Sequence, residues 1–179
     1  MKEVIDLETA RLKKRVSKAY RNWTGQFKEE FSISTSLSQI SLRTLSFLAV
    51  GKEKNSFYIY DLMMNLQDLG SGFEINELST KDKMKVMNCY LFMIDRVRFE
   101  FMKRLGWLES YPGEEFSLVE LITQFDQLAP GLQAKTPTLS KKYPSYDKFS
   151  KMNLFEQEEF IRKLIPKALK KIQDYSTTL

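Results

Sequence analysis

Between Ser79 and Gly106 the chain runs for 26 residues without a glycine or a proline. Its apolar positions Met84, Met87, Leu91, Ile94, Val97, Phe101 and Leu105 recur at intervals of three or four. That spacing places side chains on one face of a helix and of no other regular structure. Ser79 with Asp82 three residues on supplies an N-cap and a first-turn acid, and Gly106 supplies the stop. At the rise of an α-helix the element is roughly 39 Å long, enough to be the spine of a helical bundle.

The rest of the chain supports the same class. Seven glycines and five prolines leave long uninterrupted stretches, and three of the prolines fall between positions 130 and 144. Ile5, Leu12, Val16, Tyr20, Trp23, Phe27 and Phe31 form one amphipathic stripe that predicts a helix from about Glu3 to Phe31, with Gly25 as a bend. Residues 56–69 are apolar nearly all round, as in a buried central helix, with Asn55 as cap and Gly70 at the C′ position. Residues 33–42 alternate like a strand (Ile33, Thr35, Leu37) and also carry helical spacing (Leu37, Ile40, Leu45, Leu48). The capping box Ser36…Gln39 favours a helix over 37–50, ended by Gly51. A second box, Ser117…Glu120, opens a helix to Leu128, which Ala129-Pro130-Gly131 ends. Asn153 with Glu156 opens the last helix, over about 153–175, where Pro166 predicts a kink or a restart. Residues 130–152 read as an irregular, proline-containing connection pinned by Tyr143, Tyr146 and Phe149. The expectation is an all-α single domain spanning 1–179, a bundle of five to six helices with 56–69 and 80–105 at its centre.

Composition narrows the chemistry. The chain has no histidine and one cysteine, Cys89. This removes the usual neutral-pH general base, the Ser-His and Cys-His nucleophile pairs and the common zinc sites. A lone cysteine forms no internal disulfide and fits a reducing compartment. The segment Met1–Asp6 is charged and lacks the apolar core of a signal peptide. No run approaches the ~18 apolar residues of a membrane span, so a cytoplasmic location is expected. Cys89, between Met87 and Leu91, reads as a small buried hydrophobe. Asp95 with Arg98 and Arg96 with Glu100 stand at spacings of ordinary helical ion pairs, and a buried Asp95–Arg98 pair is where a perturbed carboxylate would be sought.

Charge is unevenly distributed. Residues 1–30 hold eight Lys/Arg against five Asp/Glu, and residues 136–179 hold nine against five, in a chain of net charge +5. Arg11, Lys13, Lys14, Arg15 and Lys18 form the first cluster. Arg162, Lys163, Lys167, Lys170 and Lys171 form the second. Were the first and last helices adjacent, these ten would make one polyanion-binding face, with Tyr20 and Trp23 as stacking partners for bases. The competing reading is two solvated helix faces whose aromatics point inward, and helical spacing favours it.

No motif assigns a reaction, a metal or a cofactor. A non-enzymatic interaction domain, either an adaptor or a subunit of a larger assembly, is the expectation, with a protein partner anchored by Tyr111, Phe116, Tyr143 or Tyr146. Nucleic-acid binding through the basic faces is the alternative. A carboxylate hydrolase using Mg²⁺ ranks last, because no spacing suggests the site. Apolar residues on several faces of helix 80–105 are as compatible with a homodimer as with a monomeric core.

Overall fold

The computed structural model describes the backbone of residues 2–176 and the side chains of residues 7–174. The Ile5 side chain of the first stripe, Met1 and residues 177–179 therefore lie outside what is described. The chain is mostly helical, with a minor two-stranded sheet. It divides into more and shorter segments than the pattern implied.

The first stripe is two helices, α1 (Lys2–Ala19) and α2 (Arg21–Phe27). The break falls at Tyr20 (φ −87°, ψ 0°), and Gly25 sits inside α2 rather than at a bend. α2 ends at Lys28 in the left-handed region (φ 57°), so residues up to Phe31 leave the helix. That exit brings Phe31 back onto Tyr20, ring centroids 5.1 Å apart and nearly parallel. Ring packing outweighs the few helical hydrogen bonds lost.

The box at Ser36 is real, with Ser36 N–H donating to Gln39 Oε1 at 3.0 Å, but it caps only a 3₁₀ turn, Leu37–Gln39. Ile40 then becomes extended and Ser41 caps α3 (Leu42–Ala49), so the helix expected over 37–50 is split. α4 (Glu53–Leu66) starts three residues early, and Asn55 donates to the Phe47 carbonyl instead of capping. Its stop is Asp68 rather than Gly70. Asp68 is left-handed (φ 56°), and Leu69 N–H bonds Met64 O at 2.9 Å, the reverse turn of a Schellman motif. Asp is among the few side chains that tolerate this conformation. A second 3₁₀ segment, Gly72–Glu77, follows.

α5 (Thr80–Arg104) is the expected spine. Asp82 N–H donates to Ser79 Oγ, and Trp107 N–H closes on Met102 O around Gly106 (φ 81°). α5 packs on α3 and α4. Trp107 precedes the short strand β1 (Leu108–Ser110), antiparallel to β2 (Thr138–Leu139), with Leu108 opposite Leu139. The alternation is too short to be visible in the sequence. Between the strands, Ser117 caps α6 (Leu118–Thr123) as read. Gln124 then interrupts, and α7 (Phe125–Gln133) carries Pro130 within it instead of stopping there. Burial of Ala129 and Leu132 supports the last turn across the hydrogen bond that proline removes. The 130–152 connection is thus partly structured, with α8 (Tyr146–Ser150) seating Phe149 in the core. Glu156 N–H donates to Asn153 Oδ1, opening α9 (Leu154–Ser176), which runs as one element through Pro166.

The core joins Tyr20 and Trp23 to residues from α3, α4, α5, α6 and α9. Tyr20 is 2% exposed, yet its hydroxyl has no hydrogen-bond partner. Burial alone raises the pKa of this phenol. Tyr20→Phe is therefore expected to raise stability by about 1 kcal/mol at neutral pH, since it removes a buried unsatisfied hydroxyl. The gain should grow above pH 10, the ordinary tyrosine value, where the unfolded wild-type phenol ionises and the folded one does not. Urea midpoints from pH 7 to 11 test both; a destabilised variant at neutral pH refutes the account.

Candidate binding surfaces

The ten basic residues are all exposed. Arg15 is held by Asp68 at 3.0 Å, an exposed ion pair, and Arg162 grips Asp95 with both Nη atoms at 2.9 and 2.7 Å. α1 packs chiefly on α4, whereas α9 packs on α5 and α3, so the principal neighbours of the two basic helices differ. Tyr20 and Trp23 are buried, at 2% exposure each, and present no stacking surface. Trp23 Nε1 instead donates to the Tyr58 carbonyl at 2.7 Å.

The ion pairs expected along α5 are replaced by others. Asp95 is taken by Arg162, Arg98 Nε donates to Ala49 O, and Arg96 Nη1 donates to Pro112 O. Glu100 accepts from Arg104 Nε at 3.1 Å and from the Tyr111 hydroxyl at 2.8 Å. Burial, reinforced by the Glu100 charge, holds the Tyr111 phenol well above its usual pKa. Asp95, Arg96 and Arg98 thus find their partners in α9, the 110–113 turn and α3, while Glu100 keeps a four-residue pair with Arg104 on α5.

Cys89 is fully buried, and burial pushes its thiol up to about 12, so thiolate chemistry at neutral pH is closed to it. Among the described residues no cluster of three or more carboxylate or thiol side chains is disposed to hold a metal ion. No described helix is long and apolar enough to cross a membrane.

The aromatics expected to anchor a partner pack inward. Tyr111 is buried, and Phe116, Tyr143 and Tyr146 lie half-buried against the core. The exposed apolar surface is elsewhere, and part of it was expected to be core. Met84, Met87 and Leu91 are 61, 54 and 58% exposed. They occupy positions i, i+3 and i+7 of α5, one continuous stripe. In these turns the core-facing residues are Val86, Cys89, Phe92 and Met93. Two apolar stripes exist on the N-terminal half of α5, and only packing decides which is covered. Lys81 and Lys83 flank the exposed stripe, with Asn88 beyond. Leu154 and Phe155, at the start of α9, are also exposed.

No family model, curated protein or solved structure matches this chain.

Proposed function

We propose that this protein is a non-enzymatic helical interaction domain, an adaptor or assembly subunit, that docks a partner protein on the Met84/Met87/Leu91 face of α5. The observation that carries this reading is the exposure of three large apolar side chains in register on the 25-residue helix α5. Isolated exposed apolar residues are ordinary, but an aligned stripe marks an interaction surface more often. Methionine's unbranched, polarizable side chain adapts its shape to a partner, and a helix-in-groove mode uses this i, i+3, i+7 spacing. Lys81 and Lys83 beside the stripe favour a partner helix with acids flanking its own apolar positions.

The test places a photo-crosslinking benzoylphenylalanine at position 87 in the native host, with position 142 as an exposed control. A protein adduct is expected at 87 alone, and Leu91→Glu should abolish it. Because Leu91 is already exposed, that substitution should leave the melting temperature unchanged. An adduct of twice the chain mass identifies a second copy as the partner. Equal labelling at 87 and 142, or labelling indifferent to Leu91→Glu, refutes the reading.

A second reading, polyanion binding on the α1 and α9 faces, keeps one support: the exposure of all ten cations. It requires affinity for nucleic acid that falls steeply with salt and drops when Lys13, Lys14 and Arg15 are neutralised. Fluorescence anisotropy with labelled DNA and RNA measures this; an unchanged triple mutant dismisses it.

A further inference from the structure

A cavity of about 230 Å³ lies between α5, the segment joining α7 to β2, and α9. Arg96 of α5 lines it, with Gln133 and Lys135 from the end of α7 and Arg162 from α9. Arg96 is only 4% exposed. Its guanidinium carbon stands 4.7 Å from the Phe92 ring centre and 5.0 Å from that of Phe99. One nitrogen donates to Pro112 O, and Nε has no partner.

A buried guanidinium is normally matched by a carboxylate, because desolvating the charge alone is costly. Here the neighbouring carboxylates are engaged elsewhere. Asp95 is held by both Nη atoms of Arg162, and Glu158, also on the lining, acts on that same Arg162. Glu100 serves Arg104 and Tyr111. The Asp95 charge reaches Arg96 only through space. Burial lowers the Arg96 pKa to about 10, which leaves it a full cation at neutral pH. Aromatic faces offset part of the desolvation but offer no acceptor for Nε.

We infer that this cavity binds a small organic oxyanion, its carboxylate or phosphate on Arg96 and Lys135 and its apolar remainder against Phe99, Pro137 and Ile161. Arginine's planar fork suits both anions. The volume is below the range usual for drug-sized ligands, so the occupant has few heavy atoms and is no polymer. The site is separate from the α5 stripe, and its test is independent of that face.

The experiment titrates benzoate, phenyl phosphate and inorganic phosphate into the full-length protein by calorimetry and thermal shift, with chloride as an ionic-strength control. At least one organic anion is expected to bind saturably and raise the melting temperature, with inorganic phosphate weaker. Benzoate against phenyl phosphate identifies the anionic group preferred. Lys135 is exposed, so Lys135→Met should leave the ligand-free melting temperature unchanged while weakening binding at least about tenfold. Arg96→Met should abolish binding; if that variant does not fold, Lys135→Met decides alone. No saturable binding by any of the three anions, or a shift that chloride reproduces, or affinity unchanged in Lys135→Met, overturns the inference and leaves Arg96 a structural strut.

Discussion

Replacing Asp61 with alanine should cost about 3 kcal/mol of unfolding free energy, among the largest effects of any polar substitution in this chain. Asp61 is fully buried in α4, where its carboxylate accepts from Asn22 Nδ2 at 2.9 Å, Asn65 Nδ2 at 3.2 Å and Gly72 N–H at 2.8 Å. The three donors tie α2, the body of α4 and the Gly72–Glu77 segment to one point. Alanine leaves the buried Gly72 N–H with no acceptor and opens a void beside it. Asp61→Asn keeps one oxygen for Gly72 and Asn65, so its expected cost is only about 1 kcal/mol. Urea denaturation followed by circular dichroism measures both; an alanine variant no weaker than the asparagine one would contradict this account. The same contact explains Gly72. A Cβ there would stand 2.8 Å from the Phe57 ring and 3.1 Å from the Asp61 backbone, which cannot move aside as a side chain can.

Trp23→Ala should cost more, about 3–5 kcal/mol, the usual range for emptying a large aromatic site in a core. The indole is 2% exposed and meets Tyr20, Phe27 and Phe31 edge-on at 5.6, 5.7 and 5.4 Å between centroids. Its Nε1 bond to Tyr58 O joins α2 to α4. Trp23→Phe preserves most of the packing and loses that bond, so a cost of about 1–2 kcal/mol is expected. Chemical denaturation of both variants, monitored by circular dichroism, gives the comparison. A mild alanine variant would mean that the aromatic cluster is peripheral to folding.

What the surface residues do was less legible than the helices that carry them. The basic clusters were found and are exposed, but nothing in a sequence says whether two helices at opposite ends of the chain share a neighbour. For the candidate docking stripe, core filling is the default that the pattern offers and an open apolar face the alternative. Its residues satisfy the helical period as well as the buried ones do, and periodicity alone cannot rank two apolar faces of one helix. Arg96 was paired with Glu100 from their four-residue spacing, a rule for exposed helix surfaces. On the buried C-terminal half of α5, Asp95, Arg96 and Arg98 take partners from other elements, and Glu100 pairs with Arg104 instead. Asp61 carries no motif at all. A single acid within an otherwise apolar run (Asp61 between Tyr60 and Leu62) was the available signal, since burying it demands donors nearby.

The helical class, and those boundaries that a side-chain cap sets, are written in the residues themselves. Ser79, Ser117 and Asn153 cap as read, and Gly106 terminates the spine, because a cap is a contact between residues a few positions apart. The excluded chemistries, too, follow from residues the chain does not contain. Packing between distant segments settles where the long stripes break, at Tyr20, Ile40 and Gln124, and which face of α5 is left uncovered. Beside those breaks Trp23 Nε1 donates to Tyr58 O, Arg104 donates to Leu37 O, and Phe125 packs edge-on against Phe92. Such contacts join residues tens of positions apart, and their energies exceed the small local preferences by which a sequence announces a helix.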